Sequence, residues 1–465
     1  MYFAIAFFSY FETKSPKGFF NVASQSKMRI TAVFGGVTLG TGFAYFTTTG
    51  ATLGLGALAG PAGVFLGYKL LADLEGRLTS IRSSGGDAVS LNYRNFASFF
   101  SYNSHFTKIN RFYNLIRLTV FVGLIAFEIW LSSKYISAVF GFGAEGALVY
   151  ASAVTLGLMA IGYTVIGGYP AALKTDYFQA LMVLLLILYL LISGYLGLDA
   201  SDGSSKIGIL FHATPPLSWS WLFGTSAVLL TAMATQFYNV INTSSSRART
   251  SDENSGNFWV VGIRQSAVIL AIVFIGILFS PQSTDQNLVE FLGKQASGNT
   301  VFDSVFAAFI LISLTSIIFT TVDSAIVSLS QVAGDIVGED CDSTDDKMWP
   351  RVFCALIGLV AMPLALFLIH ANVPIMNVVF AILTPLGALA SYLVASIYVA
   401  LKNNSYASRI DRDIASLFFI VFVSVFQLTN TFALPNEYVP IYTIVSFIPA
   451  ALTVFYGLTL GSVDN

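Results

Sequence analysis

Residues 301–337 read VFDSVFAAFILISLTSIIFTTVDSAIVSLSQVAGDIV, and this stretch decides the class of the chain. It is long enough to cross a bilayer, which takes about 20 apolar residues. Yet Thr315, Ser316, Thr320, Thr321, Asp323, Ser324, Ser328 and Ser330 interrupt its middle. Polar atoms at membrane depth must face protein or a water-filled cavity, because hydrocarbon offers them no hydrogen bond. Ile317, Thr320, Thr321 and Ser324 lie three and four residues apart and so share one helical face. Hydroxyls, with any carbonyl released from its helical bond, suit a hard monovalent cation such as Na⁺. The same hydroxyls also suit hydrogen bonding between helices, which is common in membranes. The residues alone leave both readings open.

The rest of the chain has the same character. Of its 465 residues, 55% are hydrophobic and only 10% are charged, with a mean hydropathy of +0.74. Soluble domains carry about 25% charged residues, so this is an all-α polytopic membrane protein. Cys341 and Cys354 give no disulfide framework, and with the three His they form no metal-type cluster. Apolar runs fall at about 1–12, 30–53, 57–75, 113–138, 146–167, 175–197, 218–241, 259–280, 301–330, 352–370, 374–401, 413–431 and 438–460. The first has no basic n-region or cleavage site and reads as a shortened first helix. With the amino terminus outside and about 13 alternating spans, all 23 basic residues except Lys134, Lys206 and Lys294 fall on the inner side, 20 of 23. So strong a bias fits the positive-inside rule. It places loops 77–112 and 338–350, and the carboxyl terminus, in the cytoplasm.

Two further stretches carry the argument. Residues 31–57 combine Gly35, Gly36, Gly40, Gly42, Gly50, Gly54 and Gly56 with Thr47, Thr48, Thr49 and Thr52. Glycine allows close helix packing, and beside threonines it also permits a helix broken at the midplane. Residues 167–191, GGYPAALKTDYFQALMVLLLILYLL, make a turn at Gly167, Gly168 and Pro170 and then open a long apolar helix. The spacing predicts a cap at Thr175 or a neighbour, with Asp176 at the helix's positive end. Glu128 is an intramembrane carboxylate, which reads either as a functional group or as the partner of the nearby Lys134 in a pair.

These motifs resemble the sodium/solute symporter family, which has the leucine-transporter-like fold. The run TTVDSAIVSLSQVAGDI resembles that family's eighth core helix, and GGYPAALKTDYFQ its Gly-Gly…Thr-Asp-x-x-Gln signature. The resemblance implies two inverted five-helix repeats at about 30–197 and 218–402. An extra helix and loop at 1–29 and additional helices at 413–465 would flank them. It implies that Na⁺ is bound by the carbonyls of Ala44, Thr47 and Ile317 and the hydroxyls of Thr320 and Thr321. Asp176 would lie on the ion's inward exit route. Phe46, Thr48, Thr231 and Gln236 would line the solute cavity. Where the sugar-carrying branch has an aromatic gate, this chain has Thr231-Ala232, which argues against a sugar.

The expected function is sodium-coupled symport of a small polar organic solute by alternating access, in the plasma membrane. The alternatives are a sodium-independent transporter, a channel or a sensor on the same scaffold. No Ser/His/Asp, metal or phosphate-binding constellation marks an enzyme. The expected partners are the solute and the lipid bilayer, with no nucleic acid and no obligate protein partner.

Overall fold

The computed structural model describes residues 2–11, 13–20, 39–83, 107–140, 146–196, 218–242, 256–280, 301–339, 343, 345–371, 373, 375–402, 416, 418–423, 425–426 and 439–460. Every described element is helical: α1 (Tyr2–Tyr10), α2 (Pro16–Phe20), α3 (Leu39–Leu53), a 3₁₀ turn (Gly54–Leu58), α4 (Ala59–Ser83), α5 (Thr107–Val139), α6 (Ala147–Leu196), α7 (Trp219–Asn242), α8 (Gly256–Phe279), α9 (Val301–Val337), α10 (Trp349–Ala371), α11 (Ile375–Lys402), α12 (Val439–Ser446) and α13 (Ile448–Leu460). Among these residues, seven helices are long and apolar enough to cross a membrane. Each apolar run expected from the sequence lies on helix where it is described, the run at 30–53 from Leu39 onward. The run at 413–431 is described only in part, and the one at 438–460 is divided between α12 and α13. The segments 84–106 and 21–38 lie outside the described residues, and with them most of loop 77–112.

At 50 residues, a straight α6 would run about 75 Å, far more than the roughly 30 Å hydrocarbon core. Gly168 breaks it, with φ 56 and ψ −157, a conformation open to glycine and hostile to other residues. The two halves then become separate spans, Ala147–Ala172 and Lys174–Leu196. A Cβ on Gly168 would also meet the ring and carbonyl of Phe19, so α2 sits in the angle of the bend. Arg351, at the start of α10, ties the same corner together. It donates to the carbonyls of Thr13 (2.9 Å) and Val165 (3.2 Å) and lies over the rings of Tyr10 and Phe19.

Packing sorts the long helices. α4 packs extensively on both α7 and α8, and α8 on α3, while α5, α6, α9 and α10 all pack on one another. The first set meets through glycines with backbone against backbone. Gly50 of α3 lies against the Val273 carbonyl, and Gly276 of α8 against that of Thr47. On α4, Gly63 faces the Leu229 carbonyl, and a Cβ on Gly67 would stand 2.6 Å from that of Met233. Between the two sets, α9 touches α3 and α3 touches α5. The outer surface is apolar, as at Phe8, Leu188, Phe367 and Phe422. This surface suits lipid.

Candidate ion and solute site

Thr320 and Thr321 are buried in the middle of α9, and Ile317 lies one turn before them. The Thr320 hydroxyl donates to the Ile317 carbonyl at 2.7 Å and to that of Ser316 at 3.2 Å. Giving its proton back to the helix leaves the hydroxyl's lone pairs available to a cation. On α3, Ala44 and Thr47 are buried too, and the Thr47 hydroxyl donates to the carbonyls of Phe43 (2.7 Å) and Ala44 (3.2 Å). The two groups therefore lie on helices in contact. The Thr47 carbonyl, however, is directed at Gly276 of α8.

The sequence allows a break in this glycine-rich stretch. Among the described residues, α3 runs from Leu39 to Leu53 as helix through Ala44 and Thr47. The interruption comes at Gly54, φ 53, where the 3₁₀ turn begins. Trp221 of α7 donates its indole N–H to the Leu53 carbonyl freed there, at 3.2 Å.

Asp176 is buried on the second half of α6. The capping expectation for it needs correction. The helix restarts immediately after Gly168, with Pro170 in its first turn, where proline's missing N–H costs nothing. Thr175 and Asp176 lie well inside, and the Thr175 hydroxyl bonds the Ala172 carbonyl at 2.8 Å. Asp176 shares its surroundings with Asp323 of α9, since the Tyr2 hydroxyl interacts with both. Asp323 is fully buried and accepts a hydrogen bond from the Tyr163 hydroxyl of α6. Around it the rings of Tyr2, Tyr163 and Phe319 pack together. Asp323 belongs in a functional account on the same ground as Glu128, as a carboxylate at membrane depth.

Glu128 is also fully buried. Its Oε1 accepts the backbone N–H of Thr41 at 2.7 Å and the Thr41 hydroxyl, joining α5 to α3. The nearby Lys134 instead lies over the ring of Trp130, 4.7 Å from its centre.

A cavity of about 20 Å³ lies between α3, α7, α8 and α11. Phe46, Thr231 and Gln236 line it, as the resemblance implies, while Thr48 does not. Two lining residues were not singled out in the sequence, Tyr45 of α3 and Gln265 of α8. The space takes about one water molecule, so a solute needs the walls to part. The Phe46 ring stacks edge-on against Tyr45, 5.0 Å between centres, and closes over Gly60.

No protein-family model matches this sequence. A search of curated proteins found no match. Solved structures do match. A Na⁺-coupled sialic acid symporter, substrate-bound and outward-open, is similar with a TM-score of 0.69 and 12% identity, over 98% of this chain and 95% of that one. A nucleobase-cation-symport-1 family transporter, closed on bromovinylhydantoin, gives 0.52 and 12%, over 93% of each chain. The manganese transporter of Eremococcus coleocola gives 0.50 and 10%, over 96% and 97%. The fold is leucine-transporter-like. This leucine-transporter-like frame takes in nearly the whole chain, and so includes both the hydroxyl pair on α9 and the cavity at Phe46.

Proposed function

We propose that the protein is a secondary active transporter that couples the inward movement of Na⁺ to that of a small polar organic solute by alternating access. The observation that carries this is the buried hydroxyl pair Thr320 and Thr321 in the middle of α9, packed on α3. Na⁺ sits there between the carbonyls of Ala44 and Ile317 and the two hydroxyls, and leaves past Asp176; the Thr47 carbonyl, turned to Gly276 of α8 in this conformation, joins the site when α8 moves away. The solute binds beside Phe46, Thr231 and Gln236. The two repeats are 30–197 and 218–402. The ion drives transport only through its different affinity for the outward- and inward-open states. Its source among the solved structures is one Na⁺-coupled neighbour, so coupling is the point to test.

Reconstituted vesicles given an inward sodium gradient should accumulate solute from a labelled panel of sugars, amino acids, nucleobases and carboxylates, and should not do so with choline. Asp176→Asn keeps the side chain's size, and should cut sodium-driven uptake severely at near-normal expression. Uptake driven equally by a proton gradient in choline would favour a second reading, proton coupling through the buried carboxylates Asp323 and Glu128.

The protein resides in the plasma membrane with its amino terminus outside. Supporting this, the backbone N–H of Lys17 bonds the Ser343 carbonyl at 3.1 Å. Two segments that the charge bias puts in the cytoplasm thus meet at one end of the molecule. In a Cys341→Ser background, Ser343→Cys should react with an impermeant maleimide only after cells are permeabilised. Rapid labelling of intact cells would invert the topology.

A further inference from the structure

Gln265 sits on the cavity wall with its side chain fully buried. Neither its amide nitrogen nor its carbonyl oxygen has a hydrogen-bond partner among the described residues. A buried amide left this way is destabilising, because it has lost its water and gained no bond in return. The Tyr45 and Thr231 hydroxyls, which also line the cavity, are likewise without a hydrogen-bond partner among the described residues, while two other side chains are committed to the backbone. Gln236 donates its Nε2 to the Ala232 carbonyl at 3.1 Å, and the Thr235 hydroxyl donates to that of Thr231 at 2.6 Å. Among the described residues no charged side chain lines the cavity, and the Tyr45 and Phe46 rings form its α3 wall.

Resting on the solute site proposed above, we infer that Gln265 is the residue that recognises the solute, and that the moiety it takes is a neutral, planar amide edge. A lactam, a cyclic ureide or a pyrimidine base presents an N–H beside a C=O. That edge pairs with the Gln265 carboxamide through two parallel hydrogen bonds. The aromatic pair offers such a plane a stacking surface. A carboxylate or ammonium would have to shed its water with no opposite charge among the described lining residues to meet it. The cavity therefore selects against ions even in a protein whose coupling partner is a cation.

The probes are uracil and caprolactam, with 1,3-dimethyluracil, which keeps the ring and lacks the N–H, and with glucose and acetate. In purified protein with Na⁺ present, uracil and caprolactam should raise the melting temperature, and the other three should not. Gln265→Leu should abolish that rise. It should also melt at or above the parent temperature without any probe, because it removes an unpaired buried amide, so loss of the fold is not the explanation. Stabilisation by dimethyluracil equal to that by uracil, no stabilisation by either amide probe, or a full uracil response in Gln265→Leu would each overturn the inference. Stabilisation by Na⁺ alone, measured in the same samples, reports separately on the ion site and should survive Gln265→Leu.

Discussion

Thr320→Val and Thr321→Val should each raise the half-saturating sodium concentration for uptake about tenfold or more, while Ser330→Val leaves it near the parent value. Valine keeps the branched shape and removes only the oxygen. If the hydroxyls merely hold helices together, each loss costs roughly 0.6 kcal/mol of stability, and ion affinity barely changes. If they coordinate the ion, a methyl stands where an oxygen was, and tenfold corresponds to about 1.4 kcal/mol. Ser330 makes a matched control. Its hydroxyl donates three residues back to the Val327 carbonyl at 2.8 Å, on the same helix and as deeply buried, just as Thr320 donates to Ile317 at 2.7 Å. Sodium-dependent uptake and sodium-dependent melting should agree. Equal, small shifts at all three positions would remove the ion from α9.

The second large effect falls on stability. Glu128→Leu strips the acceptor from the Thr41 N–H and hydroxyl, both buried between α3 and α5. Each orphaned group costs about 1–3 kcal/mol, so the loss should be roughly 2–6 kcal/mol in all. Glu128→Gln keeps a carbonyl oxygen in the same place and should cost far less. Adding Thr41→Val to Glu128→Leu removes the stranded hydroxyl and should restore part of the loss. The measurement is thermal unfolding in detergent for the four proteins. Matching curves for the Leu and Gln variants would mean that the bond carries no weight.

What the sequence shows of this molecule follows the range over which each signal acts. The apolar runs and the Gly168 turn are local, and they appear on helix and at the bend where the sequence puts them. The cap was misplaced although Pro170, a strong sign of a helix's first turn, was in view. The Thr-Asp pair drew attention to a polar spot further on, inside the helix. Glu128 drew Lys134 as a partner by proximity along the chain. Its actual partner lies 87 residues away and is named only once α5 meets α3. Gln265 had no signal of its own, since one glutamine in an apolar run matches no pattern. Its importance comes from its neighbours, because only helix packing seals its amide beside Tyr45 and Phe46. Of the four residues that the resemblance assigns to a solute cavity, Phe46, Thr231 and Gln236 line the cavity between α3, α7, α8 and α11, and Thr48 does not.

The glycine contacts among α3, α4, α7 and α8 bear on mechanics. Where carbonyls rest directly against a neighbour's Cα, no side chain lies between to flex. A shift of one helix along another would drive oxygen into backbone. These contacts lock α3 to α8 and α4 to α7, and each pair has few internal degrees of freedom. At the boundary with α6, by contrast, Gly194 meets the side chains of Leu278 and Phe279. Thr41 with Glu128 lies across the boundary of α3 with α5, and Ala44 with Thr320 across that of α3 with α9. On the proposed ion site, an ion there acts as a pin between α3 and α9.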